Sequence, residues 1–124
     1  MSLTRVLLVE DNTDNFELVR FLLERAGYKV LEAHDGQKGM DIARQELPDL
    51  ILMDLSLPGV DGWTAAHELK ADPKTASIPL LALTAHTLPG DRSRALKSGF
   101  NGFISKPIDV QNFNEDIAQA LQPK

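Results

Sequence analysis

Strand-length apolar runs separated by helix-patterned segments constrain this chain more than any other feature. RVLLV at Arg5–Val9 and DLILM at Asp49–Met53 are nearly continuous in apolar residues, as is PLLALT at Pro79–Thr84. Lys29–Ala33 and Asn101–Ser105 read as two further strands. Runs without polar alternation imply that both faces of the sheet are covered.

The intervening segments carry helical spacing. Phe16, Val19, Leu22, Leu23 and Ala26 recur on one stripe, and Gly27 follows as a stop. Gly36–Glu46 places Met40, Ala43 and Leu47 on one stripe before Pro48, and Trp63–Ala71 is a third helix. Leu88–Ser98 reads as a poorly amphipathic fourth, stopped by Gly99. Val110, Phe113, Ile117 and Leu121 form the stripe of a fifth, with Asp109 as its candidate cap. Five strands alternating with five helices predict a parallel sheet with helices on both sides. An eight-unit barrel needs about 250 residues, and the chain has 124.

Composition narrows the function. There is no Cys, which excludes a disulfide scaffold, a thiol nucleophile and a thiolate metal site. No apolar run approaches the roughly 18 residues of a membrane span, so no membrane association is expected. Asp and Glu outnumber Lys and Arg by 18 to 13 without a basic cluster, which argues against nucleic-acid binding. The expected partners are proteins and small anions met at a local site.

Ligands of an open α/β sheet bind beyond the carboxyl ends of its strands. There the sequence places Glu10–Asp11, Asp54, Thr84 and Ser105–Lys106. Three neighbouring carboxylates repel one another, and a hard divalent cation with oxygen ligands resolves that repulsion. Lys106 adds a compensating charge or an anion contact. Each residue also has a plainer reading. Asp11 or Asn12 could cap the following helix, Thr84 is an ordinary strand residue, and Lys106 could be a solvated lysine. Asp54 caps no evident helix, because DLSLPGVDG follows it as a turn-rich loop.

The fragments VEDN, LILMDLSLPGVDG, LTA and SKP, in this order and spacing, resemble the receiver domain of two-component response regulators. The wording is most similar to small single-domain bacterial regulators and also resembles receivers within hybrid histidine kinases. The resemblance covers about Arg5 to Leu121. It implies a flavodoxin-like (βα)5 three-layer sandwich whose parallel five-stranded sheet has the order 2-1-3-4-5. One receiver domain over residues 1–124 is expected, with its core at about 5–121 and no output domain. A receiver excised from a larger regulator is the alternative.

The resemblance further implies that Asp54 accepts a phosphoryl group from the phosphohistidine of a histidine kinase or phosphotransfer protein. Glu10, Asp11, Asp54 and the backbone carbonyl of Ser56 would hold Mg²⁺, with Mn²⁺ also suited to oxygen ligands. Lys106 would pair with a phosphoryl oxygen, and Thr84 would donate its hydroxyl to another after transfer. Phe103 stands at the place of the family's aromatic switch, although plain core packing is its simpler role. Ser56 and His86 border the path of water to phosphorus and are candidates for tuning phosphoryl loss; His86 is equally a solvent-exposed loop residue. A cis Lys106–Pro107 bond belongs to the same pattern. Catalysis is expected only of the chain's own phosphorylation and dephosphorylation. The expected output is phosphorylation-dependent contact with an unidentified downstream protein in the cytoplasm, by a monomer or a weak activation-dependent dimer.

Three rival readings fit the sequence less well. A haloacid dehalogenase-type phosphatase needs a second acid two residues past its nucleophile, where this chain has Ser56. A flavodoxin-like cofactor binder has the same layer order, but a Rossmann phosphate loop needs a glycine-rich turn after the first strand, where Glu10, Asp11 and Asn12 stand. A degenerate receiver that only binds partners would not need all the reacting residues that this chain keeps.

Overall fold

The computed structural model of the chain describes residues 3–55, 57, 59, 62–84, 93, 96–106 and 108–121. In chain order the elements are β1 (Arg5–Val9), α1 (Thr13–Arg25), β2 (Lys29–Ala33), α2 (Gly36–Glu46), β3 (Leu50–Asp54), α3 (Gly62–Ala71), β4 (Leu80–Thr84), β5 (Gly102–Ser105) and α4 (Val110–Leu121). The strands form one parallel sheet in the order β2-β1-β3-β4-β5. Four helices stand among the described residues. Most of the helix expected over Leu88–Ser98 lies outside them.

Strand alternation divides the core into two layers. Leu7, Val9, Ile51, Met53, Leu80 and Ala82 face α2 and α3, where Met40, Ala43, Ala65, Ala66 and Leu69 meet them. Val6, Leu8, Leu50, Leu52, Leu81 and Leu83 face α1 and α4, against Phe16, Val19, Leu23, Phe113 and Ile117. Both faces of the sheet are therefore covered, which is why the central strands carry no polar alternation. With helices on both sides, consecutive parallel strands put all their carboxyl ends at one edge.

Local chemistry sets the element ends. Asn12 caps α1, its Oδ1 accepting the Asn15 N–H at 2.9 Å, and Asp35 caps α2 by accepting the Lys38 N–H at 2.8 Å. Asp109 accepts the Gln111 N–H at 3.0 Å ahead of α4, the capping place expected of it. The third strand starts and ends one residue later than its apolar run suggests. Asp49 is used outside the ladder, where its carboxylate accepts the Arg5 N–H at 2.8 Å. Asp54 is inside the ladder, opposite Leu83. Pro79 and Asn101 likewise fall just outside β4 and β5. The Asn101 side chain accepts the Leu80 N–H at 2.8 Å and so extends the β4–β5 pairing.

Helix α2 ends on Leu47 in the left-handed region, φ 47°. Pro48 follows and disfavours the right-handed helical conformation of the residue before it. The Arg5 guanidinium donates to the freed carbonyls of Glu46 and Leu47.

Candidate functional site

The carboxyl edge of the sheet gathers the acids. Glu10 follows β1 directly, and its N–H donates to the Ala33 carbonyl at 3.1 Å, which ties the turn to the end of β2. Asp54 ends β3 and Thr84 ends β4, both buried. The Lys106 N–H donates to the Thr84 carbonyl at 2.8 Å, so β5 delivers its lysine beside the same edge.

One carboxylate oxygen from each of Glu10, Asp11 and Asp54 lies within 4.8 Å of the others. Glu10 is fully buried, Asp54 nearly so, and Asp11 is exposed. Asn12, rather than Asp11, supplies the cap of α1, which leaves the Asp11 carboxylate to the cluster. Lys106 Nζ stands 2.8 Å from Glu10 Oε1 and 3.3 Å from Asp54 Oδ2, with its side chain only 17% exposed. It is thus an interior counter-ion, not a solvated surface lysine.

The electrostatics follow from burial. Loss of water around Glu10 and the neighbouring Asp54 carboxylate raise its pKa, Lys106 opposes them, and the group is pushed up to about 7. Burial alone would lower the Lys106 ammonium. Its contacts with Glu10 and the charges of Asp54 and Glu10 outweigh that effect and hold it above its ordinary value.

The second oxygen of Glu10, Oε2, is buried and has no hydrogen-bond partner among the described residues. Burying such an oxygen is unfavourable. Among the described residues, three clustered carboxylates with one unsatisfied oxygen and a single lysine have the donor chemistry of a hard cation site. The residues present therefore fit Mg²⁺.

Of the other expected residues, Phe103 is half-buried and packs against the layer containing Leu7 and Phe100, while Ile104 enters the opposite layer. Trp63 meets Phe100 edge-on nearby, with ring centroids 6.1 Å apart. Ser56, His86 and Pro107 lie outside the described residues. No helix among the described residues is long and apolar enough to cross a membrane.

Two residues at this edge were assigned no role from the sequence: His34 lies outside every motif, and Gly62 closes the LILMDLSLPGVDG fragment. His34 reaches the main chain of Glu10, Nδ1 to O at 3.0 Å. Gly62 begins α3 directly against the backbone of Asp54, where a Cβ would lie 2.5 Å from the carbonyl oxygen. The Asp61–Gly62 pair reads as turn chemistry in the sequence, and only the packing shows the close approach.

A doubly covered parallel sheet with acids at the ends of its first and third strands, a hydroxyl ending the fourth and a lysine after the fifth defines a class of phosphorelay modules. The family model described as the response regulator receiver domain matches residues 6–118, and the chain belongs to that family. It is 42% identical over 116 residues to the polar-differentiation response regulator DivK of Brucella anthropi, covering 94% of each chain. Among solved structures, it is similar to the receiver domain of a Pseudomonas aeruginosa sensor histidine kinase, described with a magnesium ion coordinated in the active-site cleft. That match has a TM-score of 0.89 at 33% identity over 97% of this chain and 98% of the other. The Vibrio cholerae chemotaxis protein CheY4 gives a TM-score of 0.91 at 25% identity, over 97% and 100%.

Proposed function

We propose that this receiver domain takes a phosphoryl group onto Asp54 from a phosphohistidine of a histidine kinase or phosphotransfer protein, and signals through protein contacts that depend on that modification. The observation that carries the proposal is the convergence of Glu10, Asp11, Asp54 and Lys106 at the carboxyl edge of the sheet.

In the transfer, a bond forms between an Asp54 carboxylate oxygen and phosphorus while the bond from phosphorus to the donor imidazole nitrogen breaks. A carboxylate is a weak nucleophile, adequate only against such an activated donor. Glu10, Asp11 and Asp54, with the Ser56 carbonyl, would hold Mg²⁺; Mn²⁺ has similar ligand preferences. When bound, the cation neutralises and orients the phosphoryl oxygens. Lys106, held beside both buried acids, turns its ammonium from Asp54 to a phosphoryl oxygen. Thr84, buried at the end of the strand next to β3, gives its hydroxyl to another oxygen, and Phe103 follows into the space so vacated. His86 and the Ser56 side chain would set how readily water reaches phosphorus. The chain catalyses these steps on itself alone. In this reading it works in the cytoplasm as a monomer or a weak activation-dependent dimer.

Intact-mass spectrometry after incubation with acetyl phosphate tests the proposal. One phosphoryl adduct is expected with Mg²⁺, none with EDTA and none in Asp54→Asn. An adduct that persists in Asp54→Asn overturns the assignment of the acceptor.

A further inference from the structure

His34 stands directly after β2 and outside every motif described above. Its side chain is 54% exposed, so it contributes little to the core. Yet its ring is held. One face lies against the buried Phe16 ring, with centroids 4.9 Å apart at 45°. Nδ1 is 3.0 Å from the carbonyl oxygen of Glu10. That oxygen can only accept, so Nδ1 carries the hydrogen and donates it. Nε2 points outward to Glu32 Oε2 at 3.3 Å, an exposed contact worth little.

The carbonyl that His34 holds belongs to the peptide joining Glu10 to Asp11, two of the three acids of the cluster. The amide on the other side of Glu10 is also held from β2, through Glu10 N–H to Ala33 O at 3.1 Å. Consecutive residues at the end of β2 thus grip Glu10 from both sides. Rotation of the Glu10–Asp11 peptide would swing the exposed Asp11 carboxylate relative to the buried Glu10 carboxylate. A hydrogen bond from the ring to that carbonyl opposes such rotation, and the ring itself packs against Phe16.

We propose that His34 is a positioning residue for the divalent-cation site: its Nδ1–H fixes the Glu10–Asp11 peptide and so presents the Asp11 carboxylate to the ion. The proposal rests on the reading that the acid cluster holds Mg²⁺, and it adds a residue that touches neither ion nor phosphorus.

Side-chain geometry supplies the test. The Asn amide nitrogen occupies the same branch as Nδ1 of His, whereas the Gln amide nitrogen matches Nε2. His34→Asn therefore keeps the donor to Glu10, and His34→Gln and His34→Ala lose it. Mg²⁺ titrations of the whole chain should give a dissociation constant raised about fivefold in the Ala and Gln variants, the scale of one net hydrogen bond. Most of the affinity should return in His34→Asn. Glu32→Gln, which alters only the outward contact, should bind as the wild type does.

A second readout needs no metal. In EDTA, the NMR shift of the Asp11 amide, which shares the gripped peptide, should move in His34→Ala and His34→Gln and stay near the wild-type position in His34→Asn. Equal Mg²⁺ affinities and an unmoved Asp11 amide across the four proteins overturn the role of His34 while the wild-type Mg²⁺ titration keeps the function reading intact. Failure of the wild type to bind Mg²⁺ overturns both. Losses in Glu32→Gln as large as in His34→Ala overturn the peptide anchor in favour of surface charge.

Discussion

Lys106 and Glu10, 96 positions apart in the chain, meet at 2.8 Å in the interior of the carboxyl edge. The contact closes β5 onto the end of β1 across the whole width of β3 and β4. Among the described residues it also leaves one cation facing two buried carboxylates, with Asp54 at 3.3 Å. The interior is therefore short of positive charge, and the function proposed for the site depends on that shortage.

Replacing Lys106 with Met should expose that imbalance. Removing one partner of a buried pair leaves an uncompensated charge, and Glu10 can limit the damage by taking a proton. In EDTA at pH 8 we expect Lys106→Met to lose about 1–3 kcal/mol, read as a fall in melting temperature of roughly 5–10 °C. At pH 5, where Glu10 is protonated and Asp54 alone faces the missing ammonium, the difference should narrow. Equal losses at both values would mean that packing of the lysine stem, and not its charge, matters.

The raised pKa of Glu10 makes the stability of the metal-free domain depend on pH. Its carboxyl releases a proton near 4.5 when unfolded and near 7 in the fold. Between these values the folded chain binds more protons, so its stability falls as pH rises. The contribution is full below the unfolded value and lost above the folded one. Its upper limit is about 3 kcal/mol. Melting curves in EDTA should thus decline from pH 5 to pH 8, and Mg²⁺ should restore stability most at pH 8. Glu10→Gln should flatten the decline and weaken the Mg²⁺ response. A metal-free melting temperature that rises over this range contradicts the assignment.

Much of this edge was legible in the sequence, for a specific reason. Apolar runs covered on both faces must be parallel strands of one sheet, and a parallel sheet brings its carboxyl ends together. Glu10, Asp11, Asp54, Thr84 and Lys106 could therefore be grouped from their places after those runs. What escaped depends on contacts between distant segments. A lone His34 after β2 has no pattern to distinguish it, and its meaning comes from Phe16 and the Glu10 carbonyl. The helix start at Gly62 was hidden because Asp–Gly is also a turn pair. Pro48 marked the end of α2, but the left-handed Leu47 is sustained by Arg5, which comes from another strand.

Leu47 offers a stabilising change. An L-residue in the left-handed region is disfavoured by about 1–2 kcal/mol, and the Leu47 side chain, half exposed, recovers only part of that. Glycine removes the steric term while adding backbone entropy to the unfolded chain. The net expectation for Leu47→Gly is a gain of about 0.5 kcal/mol, with Leu47→Val losing about 1 kcal/mol because branching at Cβ worsens the clash. Thermal melting of the two variants should move them in opposite directions. A loss in Leu47→Gly would show that burial of the leucine outweighs its backbone strain.

Gly62 couples the fold to the acceptor most directly. A Cβ there would meet the Asp54 carbonyl oxygen at 2.5 Å and the Leu55 Cα at 2.8 Å. Both are backbone atoms at the end of the central strand β3, which cannot yield as a flexible side chain would. The start of α3 must move instead, and Asp54 is the residue it moves against. Gly62→Ala should destabilise by about 2–3 kcal/mol, the scale of an overpacked core site. It should also slow phosphoryl uptake from acetyl phosphate at a temperature where both proteins are fully folded. Mass spectrometry over time measures the second effect and melting the first. A lower melting temperature with an unchanged rate would mean that α3 shifts without disturbing Asp54, and an unchanged melting temperature would mean that the close approach is relieved at no cost.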